Sequence, residues 1–320
     1  MGVFQSTLTQ MMVMFSFIIA GFVLQKKNLL PAVAATVLSK LENYVFVPAL
    51  VLDTFMTYCR ISALLEQYKL ILYCLLLLLL SFCISFPLSK VLVPARRFSS
   101  DDRRYGMNVY KYALTFANFA FMGNAMALGV LGDEGLFKYL LFTLPLNLAV
   151  YTWGIIILIP KGSRNKNALS NLFNPIFVSL VAGMVFGILG IGNYLPDFAL
   201  MAVSSAKSCM APVAMLLTGL VIGRYNVLKL VSNKRVYIAT AFRLIIIPSL
   251  MLTLLKIIGA GDYVMTLTVF AFATPLGLNT VVFPSAYGEN PETGASMAMI
   301  SHTLAVVTIP LIYLLFVVLW

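Results

Sequence analysis

"FANFAFMGNAMALGVLGDEG", residues Phe116 to Gly135, is apolar enough to belong to a membrane helix, yet it carries Asn118 and then Gly123 beside Asn124. A helix that weakens inside a bilayer leaves backbone N–H and C=O groups unpaired, and such groups survive only where protein or a watery cavity surrounds them. The stretch therefore predicts a broken span facing the interior of a bundle.

The surroundings agree. The 320-residue chain is 61% hydrophobic and 10% charged, far from the roughly 25% charged residues of a soluble globule, so the fold class is an all-α polytopic membrane protein. The excess of 22 Lys+Arg over 11 Asp+Glu falls in short runs between apolar segments, which fits positive-inside sorting and not a nucleic-acid face. Cys59, Cys74, Cys83 and Cys209 have neither metal-ligand spacing nor the density of a disulfide scaffold, so no metal site and no cofactor is expected. The N-terminus lacks a basic region and a small-residue cleavage site, so it reads as a retained first helix. "MGVFQS" fits the loose myristoylation pattern, but a helix that already spans needs no acyl anchor.

A span needs about 20 apolar residues. Ten are expected, near 3–25, 32–57, 70–92, 107–131, 136–159, 175–193, 196–223, 236–259, 263–286 and 294–318. Sorting cations onto alternate sides places 14 of the 22 in one set of loops (among them Lys26, Lys27, Arg96, Arg97, Arg103, Arg104, Lys161, Arg164 and Lys166) and only Arg60, Lys69, Lys138 and Lys256 in the other. The rich side should be cytoplasmic, which makes this a multi-pass cell-membrane protein with both termini extracellular.

"NLLPAVAATVLSKLENYVFVPAL" from Asn28 matches "NYLPDFALMAVSSAKSCMAPVAM" from Asn193, with Pro31 and Pro48 answering Pro196 and Pro212 at separations of 165 and 164. Pro87 then answers Pro248, and the "GDE" at Gly132 answers the "GEN" at Gly288. The chain divides into repeats at 1–160 and 161–320. Five spans is an odd number, so the second copy enters from the opposite face, an inverted arrangement common in secondary transporters. Chance alignment of prolines among apolar helices is the alternative. The partner of the opening stretch is then span nine, "FAFATPLGLNTVVFPSAYGENPETG" from Phe270, with Pro275, Gly277, Asn279 and Thr280 in the matching region. Helices 4 and 9, both broken, would cross near the midplane, and the half-helices starting there present free N–H groups and positive dipole ends to an anion. Asn118 and Asn279 would add directional hydrogen bonds without fixed charge; the alternative is that Gly and Asn serve close helix packing.

"ANFAFMGNAMALGVLG", "ATPLGLNTVVFPSAYGENP", the "PVAMLLTGLVIG" of span seven, the "RLIIIP" of span eight and the "SHTLAVVTIP" of span ten together resemble the auxin efflux carrier family, whose members include plant auxin carriers and bacterial malonate and malate permeases. The resemblance covers nearly the whole chain. It implies a ten-span transporter with a crossover site, in which Asn118 takes the place of the substrate-contacting asparagine of span four and Pro275 that of a span-nine proline. Ala125 and Thr280 stand where the family often has prolines, so the breaks here would rest on Gly123, Gly277 and Pro275, and auxin specificity does not carry over.

Ionisable groups at depth are functional candidates: Glu42, Lys207, Arg243 and His302. Lys40 and Lys111 can snorkel to an interface, and Asp53 reads as close to the outer one. One surplus positive charge favours organic anions. The bland alternative is a structural ion pair of Glu42 with Lys207 or Arg243. His302, the single histidine, is a candidate proton carrier or a hydrogen-bonded packing residue. No HExxH, no paired catalytic carboxylates and no GxxxxGK[ST] loop occur, which argues against an enzyme or an ATP-driven pump.

The reading is a secondary transporter for a small carboxylate, working by alternating access, with binding residues Asn118, Gly123, Asn124, Pro275, Gly277, Asn279 and Thr280. Spans 1, 2, 6 and 7 would form the scaffold, shaped by hinges at Pro48 and Pro212, and spans 3, 4, 5, 8, 9 and 10 the transport bundle. An exporter of amphipathic weak acids, a channel and a membrane sensor are the alternatives. Expected partners are the carboxylate, membrane lipids and H⁺ or Na⁺ as coupling ion, with a homodimer as candidate assembly and no nucleic acid.

Overall fold

The computed structural model describes residues 2–31, 33–93, 100–159, 173–286 and 290–320, and these are almost entirely helical, with no β-strand. The cations Arg96, Arg97, Lys161, Arg164 and Lys166, the glycine Gly288 and the boundary at 160/161 lie outside the described residues.

Helices α1 (Gly2–Lys26), α2 (Ala34–Leu41), α3 (Val47–Tyr58), α4 (Ile61–Leu92), α5 (Ser100–Thr115), α6 (Asn124–Phe142), α7 (Leu144–Ala149) and α8 (Ile155–Leu158) make up the first part. The second contains α9 (Pro175–Leu189), α10 (Asp197–Gly223), α11 (Val227–Val231), α12 (Lys234–Ala241), α13 (Ile247–Ile257), α14 (Asp262–Phe272), α15 (Asn279–Ala286) and α16 (Glu292–Tyr313). Six helical runs among the described residues are long and apolar enough to cross a membrane: 2–26, 34–58, 61–92, 197–223, 234–257 and 292–318. A seventh is possible if the pair Phe119–Phe142 and Leu144–Leu158, bent by 48°, counts as one span, and two shorter apolar helices, α9 and α14, accompany them. Helix α4 starts earlier than the expected residue 70 because Glu66 and Lys69 sit in its first turns, where charges reach water without ending a helix.

Local chemistry explains the interruptions. Proline lacks an N–H, and its ring presses on the carbonyl four residues earlier. One-turn π-helices, Glu42–Phe46 and Phe242–Ile246, accordingly sit just before Pro48 and Pro248. Gly132, within α6, takes φ 71° and ψ −170°, a conformation that suits glycine, so the chain kinks there and Asp133 follows.

The scaffold of close contacts is built on glycines, since without a hydrophobic drive between helices in lipid, tight approach supplies the attraction. Helix α1 lies along α10, where a Cβ on Gly219 would strike the Ile18 carbonyl and one on Gly21 the Leu216 carbonyl. Helix α3 lies along α9, where a Cβ on Gly183 would fall 2.8 Å from that of Phe55.

Candidate functional site

Two interruptions meet inside the bundle. Helix α5 stops at Thr115, and the chain resumes as a π-turn at Phe119–Gly123; α14 stops at Phe272, Pro275 follows, and α15 starts at Asn279. Ala117 and Leu276 form an antiparallel bridge, and the Asn118 N–H donates to the Pro275 carbonyl at 2.7 Å. The Asn118 carbonyl accepts from the N–H groups of Met122 and Gly123, at 3.0 Å each, and the Leu276 N–H donates to Ser301 Oγ at 3.1 Å. The Asn118 N–H and the Pro275 carbonyl are thus paired across the two breaks, the Asn118 carbonyl within its own, and the Leu276 N–H by α16, as burial requires.

The C-terminal end of α5 has its own partners. Arg243 Nη1 donates to the Leu114 carbonyl at 3.2 Å, Ser81 Oγ reaches the Thr115 carbonyl at 3.1 Å, and the Ser85 and Thr115 hydroxyls lie 2.7 Å apart. A fully buried cation at a helix C-terminus complements the negative end of its dipole. This corrects the alternative that Arg243 or Lys207 is paired with Glu42. Lys207 Nζ is bonded to Asp53 at 2.7 Å and also to Asp133. Glu42 is fully buried with both carboxyl oxygens lacking a hydrogen-bond partner, as are Nε and Nη2 of Arg243. Counting residues along helices gave depth, whereas pairing depends on which faces meet.

Asn118 Nδ2 lies 3.2 Å from His302 Nε2, and His302 Nδ1 lies 2.7 Å from the Ala298 carbonyl. Asn279 Nδ2 donates to Tyr112 Oη at 2.7 Å. Asn118, Gly277 and Asn279 line one small cavity of about 50 Å³, together with Asn43, Tyr112 and Asn147. Asn43, Phe121, Tyr151, Leu278 and Asn279 are shared with a wider one of about 230 Å³, which reaches Ser39, Lys40 and Tyr44. Lys40, read from sequence as an interfacial residue, is the only charged side chain among the described lining residues of either. An apolar cavity of about 300 Å³, with Phe55 and Met184 in its wall, meets the small one at Asn147, Tyr151 and Ile176.

Other expected site residues sit outside these walls. The Thr280 hydroxyl donates to the Gly277 carbonyl at 3.0 Å, and Asn124 is buried at the start of α6. Gly123 faces Tyr139: an added Cβ would strike its hydroxyl and lie 2.8 Å from the Phe270 carbonyl. Tyr139 Oη donates to the Phe119 carbonyl at 2.9 Å and sits 3.3 Å from that of Phe270, linking both broken spans. Pro275 contributes its carbonyl, Pro48 lies in the first turn of α3, and Pro212 lies inside α10. Sequence reasoning missed Tyr112, Tyr139, Asn43, Asn147 and Asp133. An amide in an apolar run, as at Asn147, was a usable signal; the tyrosines were hidden among many aromatics. Among the described residues no three of His, Cys, Asp and Glu gather to hold a metal ion.

A family model described as membrane transport protein matches residues 6–313. The chain belongs to this membrane transport protein family. The family is the auxin efflux carrier family that the motifs resemble. The chain is also similar to an uncharacterized transporter of Methanocaldococcus jannaschii, with 24% identity over 298 residues, 92% of this chain and 94% of the relative. The protein is a membrane transporter, and the paired breaks are the candidate site of this family member.

Proposed function

We propose that this family member is a secondary transporter of a small organic anion, with the carboxylate held between the two breaks. The observation that carries the reading is the wall of the joined cavities: four asparagines, three tyrosines and Lys40, with no acidic side chain among the described lining residues. The half-helix starts at Phe119 and Asn279 border the same space and add positive dipole ends. Asn118 and Asn279 are the proposed directional contacts.

The proposed architecture is ten spans in two inverted repeats, 1–160 and 161–320, with spans 1, 2, 6 and 7 as scaffold and both termini outside. The cavity reaches Lys40, at the cation-rich end, and Lys207, Asp53 and Asp133 tie α10 and α3 to α6 on the opposite side. In this proposal the side at Lys40 is the open, cytoplasmic one, the ion cluster closes the outer side, and its release completes alternating access. Pro48 and Pro212 are the proposed hinges.

A second reading, export of amphipathic weak acids, is favoured by the apolar cavity that meets the polar one at Asn147 and Tyr151. A carboxylate at the breaks could then place its apolar body there.

Thermal-shift measurements on purified protein against mono- and dicarboxylates, with and without an aromatic or alkyl body, test both readings, because a ligand of the folded state raises its stability. Counterflow in proteoliposomes with any stabilising acid then separates a carrier from a channel. Stabilisation by cations or neutral solutes and by no carboxylate would overturn the anion reading.

A further inference from the structure

The hydrogen bonds around His302 admit only two arrangements. Its Nδ1 lies 2.7 Å from the Ala298 carbonyl, which can only accept, so Nδ1 carries a proton. In the neutral ring Nε2 is then a bare lone pair, and the Asn118 amide 3.2 Å away must offer it an N–H. In the charged ring Nε2 becomes a donor, and the same amide must offer its oxygen instead. Asn118 also lines the small cavity, and its side chain forms no other hydrogen bond among the described residues.

We propose that His302 and Asn118 form a proton-operated switch that decides which face of the Asn118 amide the cavity sees. With the ring neutral, the amide oxygen is turned to the cavity and repels a carboxylate. With the ring protonated, the amide turns round and both N–H groups of Asn118 become available to an anion. The inference rests on the anion reading of the same cavity for its physiological meaning, but the switch itself is independent of the ligand.

The surroundings decide the resting state. His302 is 1% exposed on α16, and among the described residues no acidic side chain is bonded to it. Among the described residues on the elements packed against α16, Arg243 is bonded to Leu114, Tyr112 to Asn279, Tyr313 to Thr266, Lys207 to Asp53 and Asp133, Lys26 to the Tyr225 carbonyl and Lys229 to Glu292 at the start of α16 itself, while Tyr110 and Lys111 of α5, Lys234 of α12 and Asp262 and Tyr263 of α14 form no hydrogen bond or ion pair with His302. A buried charge without a counter-ion is costly, so the ring rests neutral. An anion arriving at Asn118 supplies the counter-ion. Proton and anion then raise each other's affinity reciprocally, and apparent anion affinity climbs about tenfold for each unit fall in pH above the ring's transition.

Because the chain has one histidine, full-length protein labelled with ¹⁵N-histidine in lipid nanodiscs gives a single imidazole whose two nitrogens report tautomer and charge directly. At pH 8 the wild type should show a protonated Nδ1 and a bare Nε2. Asn118→Asp, which offers only acceptors, should raise the ring's titration midpoint by about one pH unit or more, and Asn118→Leu, which offers nothing to the charged ring, should lower it by a similar amount. Added succinate should raise the wild-type midpoint. A neutral ring protonated on Nε2, or midpoints in Asn118→Asp that coincide with the wild type, would overturn the switch. If the tautomer and the Asn118→Asp shift appear as expected while succinate and other carboxylates leave the midpoint unmoved, the switch stands and the carboxylate reading fails. Should Asn118→Leu not fold, the wild-type tautomer and the Asn118→Asp shift still decide the matter.

Discussion

Replacing Gly123 tests whether its small size serves packing between the broken spans or access to the site. A methyl there would strike Tyr139 Oη and come within 2.8 Å of the Phe270 carbonyl. Overpacking of a buried site costs about 1–3 kcal/mol, and alanine recovers about 0.8–1.0 kcal/mol of helix propensity over glycine, so Gly123→Ala should destabilise by about 0–2 kcal/mol. Tyr139→Phe deletes the donor shared by the Phe119 and Phe270 carbonyls, which should cost about 1–2 kcal/mol. The two effects should not add. Removing the hydroxyl makes room for the methyl, so the double variant should be more stable than the sum of the singles by about 1 kcal/mol. Equilibrium unfolding in mixed micelles can be followed through Trp153, whose ring lies 5.0 Å from that of Phe82 and stacks on Phe86 at 5.7 Å. Additivity within about 0.3 kcal/mol, or a Gly123→Ala variant more stable than the wild type, would refute the packing argument and return Gly123 to the cavity.

Arg243→Gln should destabilise by about 1.5–3 kcal/mol through loss of a charged hydrogen bond to Leu114, and Glu42→Gln combined with it should give no recovery, since the two side chains share no bond; recovery in the double variant would show an ion pair after all. Asp133→Asn, which weakens a half-exposed arm of the Lys207 cluster worth about 0.5–1 kcal/mol, should speed labelling of a cysteine placed at Asn147 from outside about two- to fivefold; unchanged labelling would remove the cluster from outer closure. Asn118→Ala and Asn279→Ala should each weaken carboxylate binding by about 1–3 kcal/mol while leaving membrane insertion intact, and well-folded variants with unchanged affinity would make both asparagines packing residues. Impermeant thiol labelling of single cysteines should find the termini outside; protected termini would reverse the orientation.

The broken span around Asn118 and its meeting with Pro275 were legible because a glycine, amides and a proline within apolar runs have few other uses in a bilayer. Helicity and membrane crossing followed from composition. What sequence could not give was lateral position. Glu42, Lys207 and Arg243 were placed by depth alone, and depth cannot tell that Lys207 looks toward Asp53 and Asp133 or that Arg243 looks toward the end of α5. Thr280 was chosen by its neighbourhood in the chain, whereas its hydroxyl turns back to the Gly277 carbonyl. His302 and Asn118 were each singled out, but nothing in a one-dimensional pattern places them 3.2 Å apart.

The bond from the Asn118 N–H to the Pro275 carbonyl has a consequence for biogenesis. Its donor is synthesised and delivered to the bilayer long before its acceptor exists. Until α14 and the segment after it arrive, the first break must borrow water or lipid headgroups for its backbone, or remain near an interface. The early half of the chain should therefore be a substrate for membrane quality control, and co-expression of the later half as a separate fragment should protect it from proteolysis. Asn118 and Pro275 would then set the moment at which the nascent transporter becomes resistant to degradation.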